Sequence, residues 1–187
     1  MIKTLACLGD SNTFGFDPAS LWGGRYPRDV RWTGRLAERG FAVHNFGQNG
    51  LGVSRDAVHP ILVQEVKAVQ PDLITVMLGS NDLLAGLSPA GTAAHMKKLL
   101  SLILSEKAAP RVLLIAPVPF RRGSWTGEEG LIDASHRLAA LYRPLAASPA
   151  VSFADAGAWD IPLAFDGVHF TEDGHRLFAE RLAALLS

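Results

Sequence analysis

Short runs of valine, isoleucine and leucine recur along the chain, and longer stretches with amphipathic spacing separate them. The apolar runs lie at residues 2–8, 41–45, 73–78, 112–116 and 151–154. Because these runs do not alternate polar with apolar residues, they are typical of strands that helices cover on both faces. The pattern therefore predicts an α/β fold, a three-layer α/β/α sandwich around a five-stranded parallel sheet.

Helices are indicated where apolar residues recur every three or four positions. One begins with Ser88 as N-cap and Pro89 in its first turn, and it crosses between the third and fourth strands. Its predicted buried face holds Met96, Leu99, Leu100, Ile103 and Leu104. Another lies within residues 131–145, where Pro144 is expected to kink or end it. The last begins at Thr171. It is expected to bury Phe178, Leu182, Leu185 and Leu186.

The composition narrows the class of protein. The chain has 187 residues, with 18 Lys and Arg against 18 Asp and Glu, and one cysteine. This length suits a single domain over residues 1–187, since no repeat or linker divides it. A net charge of zero gives no basic surface for a phosphate backbone, so we expect no nucleic-acid partner. No apolar run approaches the roughly 18 residues of a membrane span, and no cleavage-site pattern follows the start. We therefore expect a cytoplasmic protein, although a trimmed export signal would leave the same sequence.

Residues that carry chemistry follow four of the predicted strands. They are Gly9-Asp10-Ser11, the glycine-rich segment 45–50, Gly79-Ser80-Asn81-Asp82 and, after a further loop, Asp166-Gly167-Val168-His169. In an open parallel sheet, the loops at the carboxyl ends of the strands share one crevice. This edge would hold a nucleophile, a histidine with a nearby carboxylate, and several neutral hydrogen-bond donors. These groups are what acyl transfer requires.

The four blocks resemble those of the SGNH (GDSL-type) hydrolase family, in which Ser, Gly, Asn and His stand in separate blocks. The resemblance spans nearly the whole chain. Segments 28–34 and 166–171 most resemble the arylesterase and acyltransferase branch of the family. It implies a flavodoxin-like sheet and a serine esterase that hydrolyses or transfers short acyl groups. Asn12 departs from the older family label, which has leucine there, and we expect that it does not touch the substrate.

The same resemblance implies a role for each block. Ser11 would attack the ester carbonyl, with His169 as general base and Asp166 as the group that orients the imidazole. The implied oxyanion hole consists of Ser11, Gly50 and Asn81, with Gly47 as the competing choice for Gly50. No metal and no organic cofactor is required. The expected partners are a small acyl ester and either water or an alcohol acceptor.

The longest irregular stretch, residues 14–31, carries Phe14, Phe16, Trp22 and Tyr26 among glycines and prolines. Loops of this length in compact domains are usually functional or disordered, and the aromatic residues argue against disorder. The candidates for substrate binding are Phe14, Trp22, Phe120 and Val168. A homo-oligomer interface and plain local packing stay open as alternatives for the loop aromatics.

Two other functions also stay open. A metal-dependent phosphoesterase would use oxygen and nitrogen ligands, although Ser11 would then have no purpose. Its possible ligands are Asp10, Asn81, Asp82, Asp166 and His169. The second is a non-catalytic module that binds an acyl or glycan ligand on the same fold.

The remaining reactive residue types are interpreted as structural. Asp10 and Asp82 are expected to brace loops, and Cys7 to pack inside a core strand. The other histidines show neither a partner carboxylate nor metal-ligand spacing, so we interpret them as structural or solvated. They are His44, His59, His95, His136 and His175.

Overall fold

The computed structural model describes residues 2–105 and 110–187. Its five strands are Thr4–Gly9 (β1), Ala42–Gly47 (β2), Leu73–Met77 (β3), Arg111–Ala116 (β4) and Val151–Asp155 (β5). They form one sheet in the order β2-β1-β3-β4-β5, and every neighbouring pair is parallel. The predicted α/β fold with a five-stranded parallel sheet is confirmed.

Eight α-helices connect or follow the strands in the described part of the chain. They are Ser11–Phe14 (α1), Trp32–Glu38 (α2), His59–Ala68 (α3), Ser80–Leu84 (α4), Pro89–Ile103 (α5), Glu129–His136 (α6), Leu138–Tyr142 (α7) and Glu172–Leu186 (α8). Short 3-10 turns follow at Arg143–Ala146 and Ala156–Trp159. Pro144 lies in the first of these turns, directly after α7, as its lack of an N–H predicts.

Two apolar cores lie on opposite faces of the sheet. Successive side chains of a strand point to opposite faces, and Ala6 and Leu8 join one core while Leu5 and Cys7 join the other. Helices α3, α5 and α7 cover the first core, and α2 and α8 cover the second. The sheet is therefore the middle of three layers. Coverage is incomplete at both edge strands, where Ala42 and His44 of β2 and Ser152 of β5 are exposed.

The predicted helix starts of α5 and α8 are confirmed by their caps. The Ser88 hydroxyl accepts the Gly91 N–H at 3.1 Å, and the Thr171 hydroxyl accepts the Gly174 N–H at 3.0 Å. The expected burial of Leu185 is wrong, because this side chain is 57% exposed. The last turn of α8 meets the core through Ala183 and Leu186 instead.

No helix in residues 2–105 or 110–187 is long and apolar enough to cross a membrane.

Candidate active site

A sharp turn from β1 into α1 places Ser11 at the carboxyl edge of the sheet. The Asp10 carboxylate caps α1 by accepting the Asn12 N–H at 3.0 Å, and Ser11 is the first residue of the helix. The turn requires glycine at position 9, because a Cβ there would overlap the Thr13 side chain. Ser11 is thus buried at a fixed position where the first strand ends.

His169 and Asp166 meet Ser11 in one line of hydrogen bonds. The Ser11 hydroxyl lies 2.9 Å from His169 Nε2, and His169 Nδ1 lies 2.7 Å from Asp166 Oδ2. All three side chains are almost fully buried. The second carboxylate oxygen, Oδ1, accepts the N–H groups of Val168 and His169 at 2.9 and 3.0 Å. One carboxylate therefore fixes both the imidazole and the turn that carries it.

The charge of Asp166 sets the tautomer of the histidine. Burial raises the pKa of Asp166, but the hydrogen bonds from His169 and from the Val168 N–H outweigh this effect and bring the pKa below its usual value. The carboxylate is ionised at neutral pH and accepts a hydrogen bond from the Nδ1–H group of His169. Nε2 is then free to accept the hydroxyl proton of Ser11.

The loop after β2 is held against α4 by Asn81 and Asp82. Asn81 Nδ2 donates to the Leu51 carbonyl at 3.1 Å. The buried Asp82 carboxylate accepts the N–H groups of Val53 and Ser54, both at 2.8 Å. Asp82 is therefore a loop brace, as predicted, and the side-chain amide of Asn81 retains a second hydrogen for a ligand.

Gly47 and Gly50 occupy different environments. The Gly47 N–H donates to Asn45 Oδ1 at 2.8 Å, and a Cβ at Gly47 would overlap the backbone of Phe14. Gly50 is exposed with φ +72°, and a Cβ there would meet nothing within 4 Å. In the described residues, neither the Gly50 N–H nor the Ser11 N–H has an acceptor. Gly47 thus allows close packing, whereas the Gly50 N–H is available to donate to a ligand.

Two aromatic rings flank His169. The Phe16 ring centroid lies 4.7 Å from that of the imidazole, and the Trp125 ring meets it edge-on at 5.2 Å. Trp125 is 55% exposed and also lines a groove of about 690 Å³ between the α4–α5 connection and α6. Phe16 lies in the aromatic loop identified from the sequence, whereas no sequence signal singled out Trp125.

The four residues predicted to bind substrate differ in exposure. Trp22 stands at the tip of its loop and is 94% exposed, and the Arg25 guanidinium covers the Phe14 ring at 4.2 Å. Phe120 and Val168 are buried in the first core. Contact of these four residues with a substrate stays a prediction.

Several residues interpreted as structural have the expected surroundings. Burial raises the pKa of the Cys7 thiol to about 12. Burial also raises the pKa of Asp10 to about 6, although the Asn12 N–H and the nearby His169 oppose the rise.

The prediction that His95 lacks a carboxylate partner is wrong, because His95 Nδ1 lies 3.0 Å from Asp56 Oδ1, 39 residues away in the sequence. That pair lies on the surface, and chain spacing gave no sign of it.

The carboxylates considered as possible metal ligands form hydrogen bonds within the protein. Each of Asp10, Asp82 and Asp166 accepts at least one backbone N–H through its carboxylate. Among the residues that the structure describes, no group of three or more His, Cys, Asp or Glu side chains is arranged to hold a metal ion.

Comparison with known proteins adds a family and several relatives. Residues 7–177 match the model of the GDSL-like lipase/acylhydrolase family. An acetylxylan esterase of Xylanibacter ruminicola is 24% identical over 211 aligned residues, which cover 97% of this chain and 42% of that protein. The chain therefore spans less than half the length of this curated relative.

Solved structures match over the full length of the chain. The aryl esterase of M. smegmatis is 29% identical with a TM-score of 0.87, and the match covers 98% of each chain. A carbohydrate acetylesterase family member from Sinorhizobium meliloti is 26% identical with a TM-score of 0.84, covering 99% of this chain and 97% of that one.

Proposed function

The chain belongs to the GDSL-like lipase/acylhydrolase family, and we propose that it is a serine esterase that removes short acyl groups from carboxylic esters. The observation that carries this proposal is the line of hydrogen bonds from Ser11 through His169 to Asp166. This line joins a nucleophile to a base and the base to a group that orients it. We also propose that residues 1–187 act as one domain.

The first half of the reaction forms an acyl-enzyme. Ser11 Oγ attacks the ester carbonyl carbon while its proton passes to His169 Nε2. The ionised Asp166 stabilises the imidazolium that results. The tetrahedral intermediate then collapses, its bond to the leaving oxygen breaks, and Nε2 returns the proton to the departing alcohol.

The second half releases the acid and restores the serine. A water molecule gives a proton to His169 Nε2 and attacks the acyl carbonyl. The bond to Ser11 Oγ breaks, and the serine recovers its proton from the imidazolium. An alcohol in place of water would produce a new ester by the same steps, which is acyl transfer.

Three donors are assigned to the developing oxyanion. They are the N–H groups of Ser11 and Gly50 and the second side-chain hydrogen of Asn81. The assignment of Gly50 over Gly47 is supported by the Gly47 N–H, which Asn45 already accepts. Fixed donors of this kind contribute about 10²- to 10³-fold each to the rate, because they are aimed before the charge develops.

We propose that the substrates are esters that join a short acyl group, acetyl above all, to an uncharged sugar or aryl alcohol. Support comes from the relatives, which are named acetylxylan esterase, aryl esterase and carbohydrate acetylesterase. The exposed ring of Trp125 lies beside His169, the group that protonates the leaving oxygen. A sugar or aryl leaving group would stack on this ring.

The test compares Ser11→Ala and His169→Ala with the parent protein on an aryl acetate. The proposal predicts that each substitution lowers kcat by at least about 10³-fold while circular dichroism shows a folded protein. The matched control is Asp72→Ala. This substitution removes bonds to the N–H groups of Lys3 and Thr4 at the opposite edge of the sheet, and kcat should be unchanged. A folded Ser11→Ala variant with full activity would overturn the proposal. Activity lost on chelation would favour a metal-dependent enzyme.

A further inference from the structure

Asn12 occupies the position at which the chain departs from the family's older label, and it contacts both peptide groups that flank the base. Its Nδ2 donates to the Val168 carbonyl at 3.1 Å, and its Oδ1 accepts the Phe170 N–H at 2.9 Å. The side chain is 7% exposed. The two contacts lie immediately before and after His169, although 156 and 158 residues separate them from Asn12 along the chain.

The other backbone groups of His169 are bound from its own segment. The His169 N–H donates to Asp166 Oδ1 at 3.0 Å, and its carbonyl accepts the Ala164 N–H at 2.7 Å. These bonds fix the shape of the turn, but they do not tie it to the nucleophile. Asn12 does so, because it is covalently joined to Ser11.

Asn12 is itself held in place by its main chain. Its N–H donates to Asp10 Oδ1 at 3.0 Å, and its carbonyl accepts the indole N–H of Trp32 at 3.0 Å. Trp32 is fully buried in the second core. The carboxamide is therefore a rigid bridge between two segments, with the nucleophile on one and the base on the other.

We propose that Asn12 is a positioning residue that fixes the imidazole of His169 at the distance and angle from which it takes the Ser11 proton. This inference rests on the proposed function. Leucine, alanine or any apolar residue at this position would leave a buried carbonyl and a buried N–H without partners. The turn would then shift relative to Ser11, and a displacement of about 1 Å in a catalytic group lowers the rate by about 10²-fold.

The first experiment measures Asn12→Ala and Asn12→Asp with an aryl acetate. Asn12→Asp keeps the size of the side chain and the acceptor for the Phe170 N–H, but it places a carboxylate oxygen against the Val168 carbonyl. Each variant is expected to lower kcat by about 10- to 100-fold and to leave KM within about twofold, because substrate contacts are unchanged. Asp72→Ala is the control for lost stability without loss of kcat. Unchanged kcat in a folded Asn12 variant would overturn the proposal.

The second experiment separates positioning from general damage. Asn12→Ala, or Asn12→Asp if the alanine variant does not fold, is introduced into His169→Ala, and the residual activity is measured. With the imidazole absent, no base remains to be positioned, so a further loss of less than about twofold is expected. A loss as large as in the parent background would overturn the role assigned to Asn12.

The outcomes also separate this inference from the proposed function. If Ser11→Ala and His169→Ala keep full activity, the esterase mechanism itself fails. If both lose activity but the Asn12 variants do not, only the positioning role fails.

Discussion

Asn81 donates its side-chain amide to the carbonyl of Leu51 at 3.1 Å, which joins the loop after β2 to helix α4. Gly50 directly precedes Leu51, so this bond ties the segment that carries Gly50 to Asn81. Two of the three donors assigned to the oxyanion, on Gly50 and Asn81, lie 31 residues apart in the sequence, and this bond joins their segments. In the proposed mechanism, the side chain that supplies one donor therefore also holds the segment that supplies another.

Asn81→Ala is expected to lower kcat by about 10²-fold or more with a smaller change in KM. The donor it removes would bind the charge that develops in the transition state more strongly than the neutral ester. Steady-state kinetics on an aryl acetate provides the measurement. An effect confined to KM would show that Asn81 binds the ground state and would contradict its assignment to the oxyanion hole.

Gly47→Ala and Gly50→Ala should separate packing from donation. At Gly47 a new methyl group would overlap the backbone of Phe14, so we expect a loss of about 2–3 kcal/mol in the free energy of unfolding. At Gly50 there is room for a methyl group, and the cost comes from φ +72°, about 1 kcal/mol. Urea denaturation measures both values.

The kinetics of the same pair provide a second readout. Gly50→Ala keeps its backbone N–H, so its kcat should stay within about threefold of the parent value. Equal destabilisation by the two substitutions, or the larger loss at Gly50, would contradict the environments described for these glycines.

Asp10→Asn should change how stability depends on pH. The folded-state pKa of Asp10 is raised from 3.8 to about 6, chiefly by burial. Between about pH 4 and pH 6 the folded protein therefore binds more protons than the unfolded chain, and the free energy of unfolding of the parent falls as pH rises. Asparagine keeps an acceptor for the Asn12 N–H and has no charge to bury.

The stability of Asp10→Asn relative to the parent should therefore increase across this window by up to about 3 kcal/mol. Urea denaturation of both proteins at intervals from pH 4 to pH 7 tests this. A difference that is flat or that decreases with rising pH would show that the Asp10 carboxyl is not destabilised by burial.

The sequence predicted the sheet well because its signal is local. Runs of apolar residues have to be buried, and each predicted strand ends within two residues of the observed one. The caps of α5 and α8 could be predicted equally well, since Ser88 and Thr171 accept N–H groups from the helices that they begin. Burial of Leu185 was mispredicted because helical spacing identifies a face but does not show how far the neighbouring layer extends.

In the site, too, some features could be predicted from the sequence and others could not. Ser11, Asn81, Asp166 and His169 follow strand ends, and parallel strands bring their carboxyl ends together, so their grouping could be anticipated. The bridge from Asn12 to the His169 turn could not, because it depends on the register of two segments 158 residues apart. Trp125 was missed for the same reason, since only the folded loop shows that its ring reaches His169.

Ser11 is proposed as the nucleophile, and covalent labelling identifies the reactive serine. The protein is treated with a serine-directed phosphonate, its peptides are analysed by mass spectrometry, and residual esterase activity is measured in parallel. We predict one adduct on the peptide that contains Ser11, formed in step with the loss of activity and absent from Ser11→Ala. An adduct on another residue, or full activity in protein labelled at Ser11, would show that Ser11 is not the nucleophile.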